Sequence, residues 1–419
     1  MGKVRSDSFF DSLGNPEEEA KKFDLFHLPQ GYFDFPYTWY RLLRDYDPVH
    51  QNSDGTVLLT RYNDVRTLWK EVTASVDKTE MFSTKFGGGP LLEHHTQSML
   101  FRDPPDHDRL RAIVSPFLTA QSLTQFSEYI ETLIGQLLNQ VQELAEFDFV
   151  TDFAAKIPVQ LITRVIGIPP EDGEFLRSIG ARVLFPLNPL VSQDAIEGGH
   201  RAVAEFSEYL IPRIKAIKSK SPQHDPQCIL EALIQAQQSG VEISDSEIVH
   251  MCLLVFNGGH ETTTNLMAVG TDSLVSMPDQ YRELAQKSEE LGTFAIEEII
   301  RYVTPLQLQG RRITKPMELP SGVTLAPNTE VIISQASANR DERAFEDPHL
   351  LNLRRRPNSH VAFGLGIHSC AGISLARLES RIMFPMLAKR FPALKHNGTP
   401  IFNQNVRFRG LKSLPMSIS

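Results

Sequence analysis

Phe363-Gly364-Leu365-Gly366-Ile367-His368-Ser369-Cys370-Ala371-Gly372 is the stretch on which the reading of this chain turns. It joins a short apolar run, Val361 to Phe363, to an amphipathic segment that predicts a helix from about Ala371. Glycines at 364, 366 and 372 supply turn conformations that a side chain forbids, and they let the backbone approach something flat and bulky. A thiol at the mouth of a helix meets free amide donors and the positive end of the helix dipole, which favour its thiolate. That combination suits a soft metal ligand.

The whole sequence holds three cysteines, Cys228, Cys252 and Cys370, spread far apart. They cannot supply the four thiolates of an iron–sulfur cluster, and no CxxC pair offers a structural zinc site. Haem needs one protein thiolate and leaves the opposite face of the iron open for oxygen. The decapeptide resembles the haem-ligand loop of cytochromes P450. That resemblance makes Cys370 the iron ligand of haem b, with Phe363, Gly364, Gly366 and Gly372 shaping the loop.

At 419 residues, with 41% hydrophobic and 22% charged residues, the chain has the composition of a soluble globular protein. A net charge of −9 argues against nucleic acid or an anionic membrane as partner. Few, irregularly spaced cysteines point to a reducing compartment without disulfides. No apolar run approaches the roughly 20 residues that span a bilayer, and MGKVRSDSFF has no apolar signal core. Met1-Gly2 with Ser6 fits the myristoylation pattern formally, but so short a pattern recurs by chance. The expectation is a cytoplasmic enzyme, monomeric and without a membrane anchor, unlike anchored P450s; a place in secondary metabolism goes with the soluble bacterial type.

Along the chain, residues 1–35 are mixed and expected to lie over the surface. Tyr37 to Tyr46 reads as a helix, Asp54-Gly55 as the turn of a hairpin, and Asn63 to Trp69 as the opening of another helix. Gly87 to Pro90 break the pattern, so 80–100 reads as a long mobile loop. From about 107 to 300 the chain is mostly helical, with breaks at Gly167 to Pro170, Pro186 to Pro189 and Ser219 to Pro226. Another helix covers about 371–390. β-rich parts fall at about 48–60, 310–335 and 400–419, the last including Val406–Phe408 and Leu414–Ser417. One domain over 36–419, mainly α with a smaller β-rich region (α+β), is the simplest account. It matches the P450 fold, and the resemblance runs from about residue 36 to the end.

Ser244-Asp245-Ser246-Glu247 is a capping box, and the helix it starts can run to about Met277. Its middle reads Gly258-Gly259-His260-Glu261-Thr262-Thr263-Thr264. Two mid-helix glycines cost about 1 kcal/mol each relative to alanine, so stability alone would not select them. The segment resembles the P450 oxygen-activation motif. Gly258 and Gly259 then clear space above the haem, Thr262 holds a water beside dioxygen, and Glu261 links that site to solvent protons. His260 has no assigned role.

Glu298 and Arg301 lie three apart on one helix face and resemble the ExxR motif, with Arg355 as third member of a scaffold. The run from Asp103 to Arg111 resembles the family's HxxxR helix start, which makes His107 and Arg111 propionate ligands of the haem. Arg312 is the third by the same likeness, chosen over adjacent Arg311, and His368 the fourth. Substrate walls, again by likeness, include Phe185, Phe256, Leu306, Val406 and Phe408, mainly apolar residues that favour a small hydrophobic substrate. Electrons are expected from a separate ferredoxin or flavodoxin-type donor. Arg109, Arg354, Arg356 and Arg377 are candidates for a basic dock. The expected activity is insertion of one oxygen atom from dioxygen. The rivals are a peroxide-driven peroxygenase, against which Glu261-Thr262 argues, and a non-enzymatic haem sensor or carrier.

Overall fold

The structure, a computed structural model, describes residues 14–71, 74–220 and 225–418. The myristoylation pattern at Met1 to Ser6 lies outside the described residues.

Six helices frame the site: α1 (Asp106–Val114), α2 (Lys156–Ile166), α3 (Gly173–Leu184), α4 (Asp245–Val275), α5 (Pro278–Val303) and α6 (Ile373–Arg390). α4 starts on its capping box, in which Glu247 N–H donates to Ser244 Oγ at 3.1 Å and Ser244 N–H donates to Glu247 Oε2 at 2.9 Å. It is 31 residues long, about 46 Å at 1.5 Å per residue. α2, α3, α5 and α6 all pack on it, so most of its side chains are buried. A helix apolar on nearly every side is stable only when surrounded in this way. Gly167, at φ 94°, closes α2 as a left-handed C-cap at one of the expected breaks.

The main sheet has five strands, β1 (Val49–Gln51), β2 (Val57–Leu59), β3 (Ala74–Ser75), β4 (Leu308–Ile313) and β5 (Glu330–Ser334), in the order β1-β2-β5-β4-β3. The β1–β2 hairpin turns at Asp54-Gly55, with Gly55 at φ 85°, and sets Val49 opposite Leu59. β2 pairs with β5 in parallel, and β4 runs antiparallel to both β5 and β3. Leu59, Val65, Leu68, Trp69 and Ile333 form a separate apolar cluster beneath this sheet. The architecture is α+β, mainly helical.

Three expectations give way. The stretch 80–100 is two helices, Thr79–Phe86 and Pro90–Gln97. Its glycines only turn the chain between them, with Gly87 and Gly89 at φ 69° and 105°. Within the expected surface segment 1–35, Ala20, Phe23, Leu25 and Tyr32 are buried in one cluster with Tyr40, Leu42 and Leu43. Val406–Phe408 is not a strand; Phe408 makes a single isolated bridge to Leu306. The strand expected at the end of the chain is Pro415–Ser417, paired with Glu146–Asp148. No helix among the described residues is long and apolar enough to cross a membrane.

Candidate active site

Cys370 lies two residues before Gly372, the N-cap of α6. Its N–H donates to the Phe363 carbonyl at 2.9 Å and closes the loop. Gly364 and Gly366 have φ of 67° and 74°. A Cβ on Gly366 would stand 2.5 Å from the Trp69 carbonyl oxygen, so the loop touches the Tyr62–Lys70 helix backbone to backbone. Only glycine permits that. Cys370 has an exposed surface, yet enough protein encloses it that burial pushes its thiol pKa up. The Gly372 N–H and the charges of Arg111 and Arg377 pull the other way and lose. The helix N-terminus therefore does not by itself make the thiolate. A cationic metal at the sulfur would. Among the described residues no group of three or more His, Cys, Asp or Glu side chains could hold a metal ion.

A cluster of basic groups stands beside it. His107 and His368 place their rings 4.2 Å apart, and Nε2 of each is buried without a partner. His107 Nδ1 is 2.8 Å from Asp108 Oδ1. His368 is pushed down to about 3, first by burial, then by the charges of His107, Arg311 and Arg111. His368 lies two residues before Cys370 on the loop that the Cys370 N–H closes, which puts the cluster next to the thiol. Unpartnered donors and guanidiniums with few acids among them fit the two propionates of haem b. Of the two adjacent arginines, Arg311 and not Arg312 faces this cluster. Alternate residues of β4 face opposite sides: Arg311 is buried and acts on His368, whereas the charge of Arg312 is felt by Asp77.

The structure brings Glu298, Arg301 and Arg355 together in the interior. Arg301 Nε and Nη2 donate to the two Glu298 oxygens at 2.7 and 2.8 Å, and Arg355 Nε lies 3.1 Å from both. Asn352 N–H and Asn358 Nδ2 also donate to that carboxylate, at 2.9 and 3.2 Å. The remaining guanidinium hydrogens go to the carbonyls of Asn339, Pro348, Leu350, Glu346 and Asp347. The pair is thus fully satisfied, as a buried pair must be.

In the middle of α4, Leu254, Gly258, Glu261 and Thr262 keep accessible surface, as Gly259 does in part, while Phe256, Asn257, His260 and Thr263 are buried. The spacing of Leu254, Gly258, Glu261 and Thr262 defines one face. A Cβ on Gly258 would meet nothing within 4 Å, but one on Gly259 would stand 2.6 Å from Ile162 of α2. Only Gly258 keeps the face open; Gly259 serves helix packing. Thr262 Oγ1 donates to the Gly258 carbonyl at 2.9 Å, and Glu261 Oε1 accepts from Asn265 Nδ2 at 3.1 Å. His260 is buried against Phe256, with ring centroids 4.6 Å apart.

Phe256 is fully buried and belongs to the core, because two helical residues before Gly258 face away from it. Val406 likewise joins the cluster of Tyr37 and Leu308. Phe408 is buried beside Leu306, which is half-buried, and Phe185 is exposed. Sequence reasoning missed Leu254, one turn before Gly258 and readable from helical spacing. It also missed Arg407, a cation in a stretch read as apolar.

The proposed basic dock is largely neutralised. Arg109 pairs with Asp106 and Glu247, Arg354 with Glu283 and Glu290, and Arg377 with Glu297 in a two-pronged contact at 2.7 Å. Arg356 stacks on Phe294.

The family model described as Cytochrome P450 matches residues 176–295 and 291–413. A Bacillus subtilis protein named Cytochrome P450 is 32% identical, over 92% of this chain and 94% of its own. The polyketide biosynthesis cytochrome P450 PksS of the same organism is 31% identical, over 94% and 99%. The crystal structure of P450BioI in complex with hexadec-9Z-enoic acid ligated acyl carrier protein superposes with a TM-score of 0.86 at 29% identity. It covers 93% of this chain and all of that one.

Proposed function

The chain belongs to the cytochrome P450 family, a haem b-dependent monooxygenase among the oxidoreductases, and from that premise we propose that Cys370 is its iron ligand and a small hydrophobic molecule its substrate. Bound haem b supplies the chemistry that takes one oxygen atom of dioxygen to a carbon of the substrate. The residues of the chain hold, orient and deliver protons. Arg111 and Arg311 would offset the charge of the propionates, with His107 and His368 adding hydrogen bonds from their unpartnered Nε2 atoms, and the Glu298–Arg301–Arg355 network fixes the backbone that leads into the Cys370 loop. Gly258 leaves room on the open face of α4. Thr262 Oγ1 exchanges its bond to the Gly258 carbonyl for a water and passes a proton through it, while Glu261 carries protons in from outside.

The apolar character of Leu254, Leu306 and Phe408 supports a hydrophobic substrate. One relative named for polyketide biosynthesis and another solved with a hexadecenoic acid on an acyl carrier protein agree with a long apolar body. Electrons come from a separate ferredoxin or flavodoxin-type protein. Its acidic groups would have to compete with Glu283, Glu290 and Glu297 for the arginines those residues already hold.

The observation that carries this reading is that the lone thiol Cys370 sits on a glycine-turned loop two residues after His368, whose ring lies 4.2 Å from that of His107 with Nε2 of both buried and unpartnered. Reduced protein with carbon monoxide should show the red-shifted band of a thiolate-bound haem, and Cys370→Ser should lose it. Retention of that band in the variant would refute the ligand assignment. Thr262→Ala should keep the band and divert electrons to hydrogen peroxide; unchanged coupling would remove Thr262 from proton delivery.

A further inference from the structure

Arg407 is a half-buried cation whose Nε is shut off from solvent, and among the described residues no acid pairs with it. It lies in the loop between Ile401–Phe402 and Leu411–Ser413. Its carbonyl accepts from Gln307 N–H at 2.6 Å, and its own N–H donates to Asn405 Oδ1 at 2.9 Å. On either side, Val406 turns into the cluster with Tyr37 and Leu308, and Phe408 bridges Leu306. The chain bends at Val406 and Arg407, where Asn405 Oδ1 accepts from the N–H groups of both Arg407 and Phe408 at 2.9 Å, and the Arg407 side chain leaves this bend with its Nε buried.

What it meets there is more positive charge. Arg407 acts on Lys85 of the Thr79–Phe86 helix, on His95 of the Pro90–Gln97 helix and on Arg311 of β4. Burial lowers Arg407 to about 10 and Lys85 to about 8, and no carboxylate pulls either back up. Arg407 Nε has no hydrogen-bond partner. Among the described residues no carboxylate forms an ion pair with its guanidinium. Lys85 Nζ donates to the Asn188 carbonyl at 2.5 Å, and Asn188 Oδ1 accepts from Val406 N–H at 3.2 Å. Lys85 and the Arg407 loop are thus tied to one residue, with His95 and Arg311 within electrostatic reach.

Removing a cation from water without a counter-ion is unfavourable, and a fold tolerates it where a ligand brings the anion. Arg311 already has candidate anions, since it acts on the His107–His368 cluster that fits the haem propionates. Arg407 has no such claim on it. Resting on the monooxygenase reading above, we propose that Arg407, with Lys85 beside it, binds a carboxylate on the substrate, so that the enzyme acts on amphipathic acids with a long apolar body. The planar fork of a guanidinium binds both carboxylate oxygens, which fixes the head of the molecule and presents its chain in one direction.

The test uses haem-loaded wild type, Arg407→Gln and Arg407→Lys. Dodecanoic, tetradecanoic and hexadecanoic acids are titrated by calorimetry and by the haem absorption shift, each against its methyl ester. Wild type should bind acid more tightly than ester. Arg407→Gln should weaken the acids by roughly tenfold or more and change the esters little, and Arg407→Lys should recover part of the loss. Haem content should be equal in all three. Equal losses for acid and ester would reduce Arg407 to a packing role, and a loss of haem in the variants would make it a propionate ligand; either overturns the proposal. A wild type with the thiolate-type carbon monoxide band but no preference for acid sinks the anchor alone. Absence of that band sinks the monooxygenase reading with it.

Discussion

Replacing Glu298 by glutamine changes one atom and should destabilise the enzyme severely. The carboxylate is fully buried and stands between Arg301 and Arg355, both themselves buried. Glutamine keeps the volume but removes the negative charge, and its NH2 group points a donor at donors that now reach oxygen. Two guanidiniums are left in the interior with their anion gone. Breaking a buried pair in this way costs about 3–5 kcal/mol, a large fraction of the roughly 5–15 kcal/mol that holds a domain folded. The damage also reaches the cofactor, because these arginines hold the carbonyls of Asn339, Glu346, Asp347, Pro348 and Leu350 ahead of the Cys370 loop. Urea unfolding of the haem-loaded protein should show a lower midpoint at unchanged slope, with a lower ratio of haem to protein. Glu297→Gln is the control. Its carboxylate is on the same helix, paired with Arg377 and His360, and still partly solvated, so its loss should cost about 1 kcal/mol. If Glu298→Gln costs no more than Glu297→Gln, the network does not hold the segment and the argument fails.

Two further outcomes follow from neighbouring features. Gly258→Ala should raise stability by up to about 1 kcal/mol, since the new methyl meets open space and alanine is the better helix former. Gly259→Ala should lower it by about 1–2 kcal/mol, since the methyl overlaps Ile162; thermal unfolding that ranks the two the other way would refute the division of labour between them. His95, enclosed by Phe82, Phe86 and Phe101, is held down to about 3 by burial first and by the Arg407 charge second. The unfolded chain takes up a proton below about pH 6.5 that the folded one refuses. Its contribution is therefore complete above that pH and is lost as pH falls toward 3, at a slope approaching about 1.4 kcal/mol per unit. His95→Phe should flatten the curve of unfolding free energy between pH 6.5 and 4, and an unchanged slope would contradict the assignment.

The parts of this molecule that a sequence displays are those whose cause is local. Ser244 and Glu247 announce the start of α4 because a capping box needs only four residues. Asp54-Gly55 likewise specifies its own turn. Glu298, Arg301 and Arg355 meet, and His107 and Arg111 stand beside His368, as the resemblance implies. What stays hidden is decided by which way a side chain points once distant elements dock. Arg311 and Arg312 are chemically alike, and only the pairing of β4 tells which faces inward. Gly258 and Gly259 look like one feature until Ile162 arrives against the second. Phe256 and Val406 are apolar enough for a substrate wall, but apolarity does not tell a wall from a core. Residues 80–100 carry glycines that suggested slack, and the helices on either side of them are fixed by Phe82, Phe86 and Leu91 reaching the main core.

The backbone touch between Gly366 and the carbonyl of Trp69 ties the height of the sulfur to the far end of the chain. Trp69 stands in the last turn of a helix that rests on the sheet cluster, 301 positions upstream of the thiol. The electronic character of the iron would thus inherit the rigidity of a region that never meets substrate. Softening that helix, by trimming Trp69 for instance, would loosen the loop that carries Cys370.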